Sequence, residues 1–317
     1  MLYYILRRIL YAVPIALGVS IVCFSLVYLA PGDPLQTLLP DDTPPEAVAE
    51  LKAKYGFDRP VPMQYLFWLG NVLTGDFGTS IGTGRPVIEE IGRALSNTLL
   101  LGACAVAVAF TLAIIIGGVG GYLHGKVSDK VVTSIAIFGV SVPNYWLGII
   151  LVIVFAVELN LLPAVGMGKS GSQGFGLDLE SLKYLILPTI TLALVPLGII
   201  ARTVRASVAE VLGHEFVQTL RAKGLSERGV LRHVVKNAAA PVLAVMGLQF
   251  GHLIGGSIVV ETVFSWPGTG FLLNNAILRR DVPILQGTIL VLALMFVLTN
   301  LLVDLLQTTL DPRIRRA

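Results

Sequence analysis

Between Arg93 and Lys126 the chain carries no charged residue, and from Asn97 to Tyr122 it reads NTLLLGACAVAVAFTLAIIIGGVGGY. An uninterrupted apolar run longer than about 18 residues is long enough to cross a lipid bilayer as a helix. In hydrocarbon a helix satisfies every backbone polar group internally, so such a run leaves few folds open. Five more runs share this character: Ile9–Ala30, Val131–Val157, Tyr184–Ile200, Ala238–Val260 and Pro283–Leu306. The fourth of the six in chain order, Tyr184–Ile200, is interrupted by Pro188 and Pro196. The expected class is an all-α integral membrane protein with six transmembrane helices. Composition agrees: 55% of residues are hydrophobic and only 14% charged, with a mean hydropathy of +0.80. Soluble chains average about a quarter charged.

Lysine and arginine in the short loops set the expected orientation. With the N-terminus inside, the cytoplasmic side collects Arg7, Arg8, Lys126, Lys130, Arg202, Arg205, Arg313, Arg315 and Arg316. The reading is a multi-pass protein of the cytoplasmic (inner) membrane with both termini cytoplasmic. Residues 1–30 form the N-terminus and first helix, and 31–96 an extracytoplasmic loop. Residues 97–307 hold helices 2–6 with a cytoplasmic loop at 202–237, and 308–317 form a cytoplasmic tail. The outer loop is expected to be partly helical. Thr43, Pro44, Glu46 and Gly56 mark a capped helix. Tyr65, Leu66, Trp68, Leu69 and Val72 recur at helical spacing, either on a helix lying in the membrane interface or on one packed against its own loop.

Several chemistries are excluded. No GxxxxGK[ST] phosphate cradle exists, so the chain carries no ATPase site of its own. His214–Glu215 opens like a zinc-protease motif, but Gln218 stands where the second histidine belongs. Ser257 and His252 lie on different faces of one span, which disfavours a serine nucleophile with a base. Cys23 and Cys104 sit inside apolar spans as packing residues. No internal repeat supports a secondary transporter built from inverted halves. Polar groups within the spans face the bundle interior or a water-filled path, because lipid cannot satisfy them. The candidates for a path are Ser141, Pro143, Asn144, Gln249 and Glu261.

The stretch EFVQTLRAKGLSERGVLRHVVKN, residues 215–237, departs from its oily surroundings. Val208, Val211, Leu212, Phe216 and Leu220 form one helical stripe, and Val230, Leu231, Val234 and Val235 a second. Gly224 separates them, and Ser226 is placed to cap the second helix. An anchor that merely follows the positive-inside rule needs neither stripe nor central glycine. The expectation is a helix–turn–helix whose apolar stripe docks in a groove on a partner.

RAKGLSERGVLRHVVKNAAAPV, within this stretch and just beyond it, resembles the cytoplasmic EAA loop of binding-protein-dependent ABC importers. Gln218, Thr219 and Leu220 stand where that signature has Glu-Ala-Ala, Gly224 is kept, and Asn237 replaces a proline. APGDP (30–34), GDFGTS (75–80), GGSIVVETVFSWPGTG (255–270) and LLVDLLQTTLDPRIR (301–315) resemble the dipeptide/oligopeptide/nickel permeases, in the form usually encoded first of two. The resemblance implies the type I ABC importer fold. It implies a transport subunit with no catalytic residue, metal or cofactor of its own, ATP and magnesium being bound by partner ATPase subunits. The implied partners are a second homologous permease, two ATPases, an extracytoplasmic substrate-binding protein and membrane lipid, with no nucleic acid. Arg221, Ala222, Lys223, Gly224, Leu225, Ser226 and Glu227 would couple to an ATPase. The implied cargo is a peptide, di-/oligopeptide or glutathione-like, with nickel complexes or sugars as alternatives. The rival of another class is a self-sufficient channel or secondary transporter.

Overall fold

Helix follows helix along nearly all the described residues, because strongly apolar segments in a low-dielectric surround keep their backbone hydrogen bonds local. The computed structural model describes residues 2–29, 44, 46, 59–168, 176 and 178–310. Its helices are α1 (Leu2–Leu29), α2 (Val61–Leu73), α3 (Val87–Tyr122), α4 (Val127–Ser141) and α5 (Asn144–Leu151), the last passing into a π-helical turn at Val152–Glu158. They continue as α6 (Leu179–Leu212), α7 (Glu215–Ala222), α8 (Glu227–Val263), α9 (Thr269–Arg279) and α10 (Val282–Leu310). Among the described residues the sole extended pairing is one antiparallel bridge between Thr79 and Pro86.

Four of these helices, α3, α6, α8 and α10, are long and apolar enough to cross a membrane. A fifth span arises if α4 and the segment 144–158 count as one, and these two bend by 101° at their junction. The first expected span corresponds to α1, 28 residues long, with its described apolar stretch at Val13–Ser25. The bend has a local cause. Pro143 has no N–H to donate, and it holds Val142 in an extended conformation (ψ 123°), so α4 stops and α5 restarts.

The sequence reading requires correction at three boundaries. α3 begins ten residues before Asn97, led by Glu89 and Glu90, whose charges suit a helix N-terminus. α6 runs unbroken through Pro188 and Pro196, both buried. In the membrane, neighbouring helices tolerate such prolines, and both lie on the enclosed face of α6. α8 starts at Glu227 and continues to Val263, so the short helix expected after Gly224 runs without a break into the fifth span.

The chain divides into two compact units. One comprises the residues up to 98 together with 267–298. Here Val87, Ile91, Ala276 and Ile284 form a small core, and Gly287 lets α10 approach Val87 and Ile91. Asp281 is buried and receives Ser80 Oγ at 2.5 Å and the Gly82 N–H at 3.0 Å, which ties the loop before α3 to the corner before α10. Beside this corner lies a cavity of about 160 Å³ reached by Thr83, Glu90, Asn275 and Arg279. α2 packs on α1: the Tyr65 and Trp68 rings lie 5.5 and 5.8 Å from Phe24, and the Tyr65 hydroxyl is 2.8 Å from Ser20 Oγ. Its other face exposes Met63, Leu66, Phe67 and Leu73. So α2 packs on the first helix, and the apolar face it exposes among the described residues has the character of an interfacial helix. Of the helix expected at Pro44–Gly56 only Pro44 and Glu46 are among the described residues, and the rest lies outside them.

The other unit comprises 99–266 and the residues from 299 onward. Leu101, Ala105, Ala109 and Ala113 recur every fourth residue on α3 and are fully buried. Gly117 and Gly121 continue the row, and small residues so spaced let helix backbones approach closely. A Cβ on Gly117 would lie 2.5 Å from the Ala201 carbonyl oxygen, and one on Gly121 would lie 2.7 Å from that of Arg205. α6 is therefore seated directly on α3. α4 meets α6 in the same manner, through Gly139 against Leu194 and Gly198 against Ala136.

Candidate functional site

The basic loop is a helical hairpin whose tip is set by backbone chemistry. α7 ends at Ala222, and its last carbonyls need donors. The Gly224 N–H bonds to the Arg221 carbonyl at 2.9 Å, and the Leu225 N–H bonds to that of Leu220 at 3.2 Å. This pair of reverse bonds is the Schellman arrangement, which requires a left-handed residue after the cap. Gly224 supplies it at φ +80°. The chain then turns into α8, where Ser226 Oγ accepts from the Gly229 N–H at 3.4 Å.

Most of the apolar stripe is used within the chain's own core rather than left for a partner's groove, while Val235 stays exposed. Val217, Val230 and Val234 are fully buried, and Val208 and Val211 nearly so, all in one core with α3 and α6. Phe216 and Leu220 are half-buried and pack against that core. The sequence pattern correctly marks a face that must leave water. It does not say whose surface covers it, and here α7 folds back on its own chain.

What remains outward at the tip is mostly polar, with Leu225 an exposed apolar exception. Every residue from Arg221 to Arg228 is exposed, so all seven candidate coupling residues, Arg221 to Glu227, are gathered on one tip. Arg221 grips Glu227 bidentately, with Nε donating at 2.9 Å and Nη2 at 3.2 Å. The Tyr122 hydroxyl, at the end of α3, donates to the same carboxylate at 3.3 Å. The Arg221 hydrogen bonds hold the Glu227 carboxyl below its ordinary pKa.

A second polar cluster joins α4 to α6. Asp129 is buried, and Arg205 donates to it through Nε and, at 3.0 Å, through Nη2. The Gly125 N–H adds a bond of 3.0 Å, and His124 Nδ1 lies 3.1 Å away. Arg205 first, then Gly125, hold the Asp129 carboxyl well below the usual carboxylate range. Asp129 and Arg205 are 76 residues apart, and no sequence pattern pairs them. The four-residue row of small side chains on α3 was open to a reader of the sequence.

Ser141, Pro143 and Asn144 meet at the 101° bend, where the Asn144 Oδ1 atom is buried with no hydrogen-bond partner in the structure. Gln249 is buried on α8. Glu261, twelve residues further along that helix, is fully enclosed, and its carbonyl accepts the Trp266 N–H at 2.8 Å. Among the described residues no group of three or more His, Cys, Asp or Glu is placed to hold a metal ion.

Comparison with known proteins places this architecture. Residues 109–316 match the family described as "binding-protein-dependent transport system inner membrane component", and residues 1–99 match its N-terminal companion. The dipeptide transport system permease protein DppB of Alkalihalophilus pseudofirmus is 41% identical, over 99% of this chain and 100% of its own. DppB of Escherichia coli is 38% identical, over 99% of both chains. A putative peptide transport system permease protein of Brucella abortus is 41% identical, over 98% of both. Among solved structures, the inward-facing MetNI methionine ABC transporter shares the fold with a TM-score of 0.52 at 14% identity. That match covers 71% of this chain and 96% of that one. An all-helical chain with several membrane-long apolar helices, matched along nearly its full length by both models, belongs to the family of inner-membrane components of binding-protein-dependent transport systems.

Proposed function

We propose that this chain is the permease subunit of an ATP-driven importer and forms part of a path for peptides across the cytoplasmic membrane. The observation that carries the reading is the hairpin tip. Most of its apolar side is buried in the chain's own core, and eight consecutive exposed residues, Arg221–Arg228, are presented around a turn held by backbone bonds. Such a tip suits the cleft of an ATPase, and a rigid one passes on a push. The peptide cargo is inferred from relatives named for dipeptide and peptide transport.

In this reading the tip and both termini are cytoplasmic. A second homologous permease completes the path, two ATPases bind ATP and magnesium, and a substrate-binding protein docks on the outer loop, residues 31–96. The domain limits are those expected above, with 97–307 as the transport domain and 202–237 as its coupling loop. Ser141, Pro143, Asn144, Gln249 and Glu261 are proposed to serve the path. Two states of the bundle must differ in their contacts with the ATPases for hydrolysis to drive transport.

The test is Gly224→Trp in the complete complex reconstituted in vesicles, with uptake of a labelled dipeptide as readout. A Cβ at Gly224 meets nothing within 4 Å, so the fold has room for the substitution. The turn does not, because a left-handed backbone costs a non-glycine residue about 1–2 kcal/mol. The expected result is normal membrane insertion with uptake abolished. Normal uptake by this variant, or dipeptide flux through the chain alone without ATPases, overturns the proposal.

A further inference from the structure

The hairpin tip carries an internal clasp, and the clasp reaches a third helix. Arg221 is in the last turn of α7 and Glu227 is the first residue of α8. Their two-point contact closes the turn Ala222–Ser226 across its base. A flexible tip would absorb a displacement imposed on it, whereas a closed one moves as a body. The same carboxylate takes the Tyr122 hydroxyl, so the clasp is also bonded to the end of α3. That end is itself confined: Gly121 lies flush on the Arg205 backbone and Val208 of α6, and Gly120 on Val132 of α4. The Arg205–Asp129 pair then joins α6 to α4.

Resting on the coupling role proposed above, we infer that Arg221 and Glu227 act as positioning residues. They clamp the coupling turn into one rigid piece, and Tyr122 connects that piece to the cytoplasmic ends of α3, α4 and α6. Their primary work is thus with each other rather than with the ATPase. A chain of contacts becomes a coupling route only when its links are shown to be energetically interdependent, and the two side chains permit that test because their charges can be exchanged.

The experiment uses the complete transporter in vesicles and measures ATP hydrolysed per labelled dipeptide imported, with ATPase co-purification recorded for every variant. Arg221→Glu and Glu227→Arg, taken singly, each place like charges across the turn. Each is expected to retain the ATPases and to raise the ATP consumed per dipeptide roughly two- to fivefold, the range an exposed ion pair supports. The double exchange, Arg221→Glu with Glu227→Arg, is expected to return the ratio to within about twofold of wild type, because the contact is restored with reversed polarity. A direct electrostatic contact with the ATPase predicts the opposite, since the exchange would leave both contacts wrong. Tyr122→Phe removes only the hydroxyl. Its effect is expected to shrink in a Glu227→Gln background, where the acceptor is weakened.

A double exchange as impaired as the single variants overturns the clasp, as do single variants with an unchanged ratio. Additive effects of Tyr122→Phe and Glu227→Gln overturn the link to α3. A wild-type chain that retains no ATPase removes the coupling role itself and the clasp's function with it. That result is distinct from the other three, which leave the assembly intact.

Discussion

Replacing Gly117 by alanine tests the seat of α6 on α3. The new Cβ would stand 2.5 Å from the Ala201 carbonyl oxygen, 2.8 Å from Val204 Cβ and 3.1 Å from Ala201 Cα. Ordinary van der Waals contact begins near 3.4 Å, so the shortfall is about 0.9 Å at a backbone atom that cannot rotate aside. α6 is the most enclosed of the long spans, and its Ile200, Ala201 and Val204 are buried around this contact. Relief therefore requires shifting a helix rather than a side chain. Overpacking of this kind costs about 1–3 kcal/mol, or roughly a 5- to 150-fold change in the folding equilibrium. The neighbouring residue supplies the control, since a Cβ on Gly118 meets nothing within 4 Å. In detergent, the thermal unfolding midpoint of Gly117→Ala should fall well below wild type, while Gly118→Ala should match or slightly exceed it. Equal midpoints for the two variants would refute the close seating of these helices.

Two further outcomes follow from the polar clusters. Asp129 has a folded-state pKa depressed below its ordinary 3.8, so its contribution is fully present above that value and is lost as pH falls through the lowered one. Asp129→Asn should destabilise the protein near neutral pH, and the gap to wild type should narrow on acidification below about pH 4; a gap independent of pH between 7 and 3 would contradict the pairing. Asp281→Ala leaves the buried Ser80 hydroxyl without its acceptor, at a cost of roughly 1–3 kcal/mol, and releases the exposed Gly82 N–H to water. Limited proteolysis should then cut the segment 76–86 faster, and an unchanged rate would count against that tether.

Much of the candidate site was legible because local chemistry dictates it. A glycine followed by a capping serine, between two apolar stripes, describes a helix–turn–helix, and Gly224 and Ser226 occupy those roles. The destination of the stripes was not legible. Val208, Val230 and Val234 show the same periodicity whether they dock on a partner or on α3 and α6. Pro188 and Pro196 mislead for a related reason: a proline's effect depends on whether neighbours satisfy the backbone groups it frees, and α6 is enclosed.

Apolar length and the distribution of charge are properties of the chain by itself. They determine that it is helical, that it belongs in a membrane and which polar hairpin stands apart, because the transfer of residues from water to hydrocarbon depends on residue type and run length. Meetings between residues distant in sequence were decided only by the tertiary structure. Asp129 finds Arg205, Glu227 finds Tyr122, and Gly117 receives Ala201 only once the helices have chosen their faces. That choice is a matter of steric fit between surfaces all equally apolar, to which hydropathy is blind.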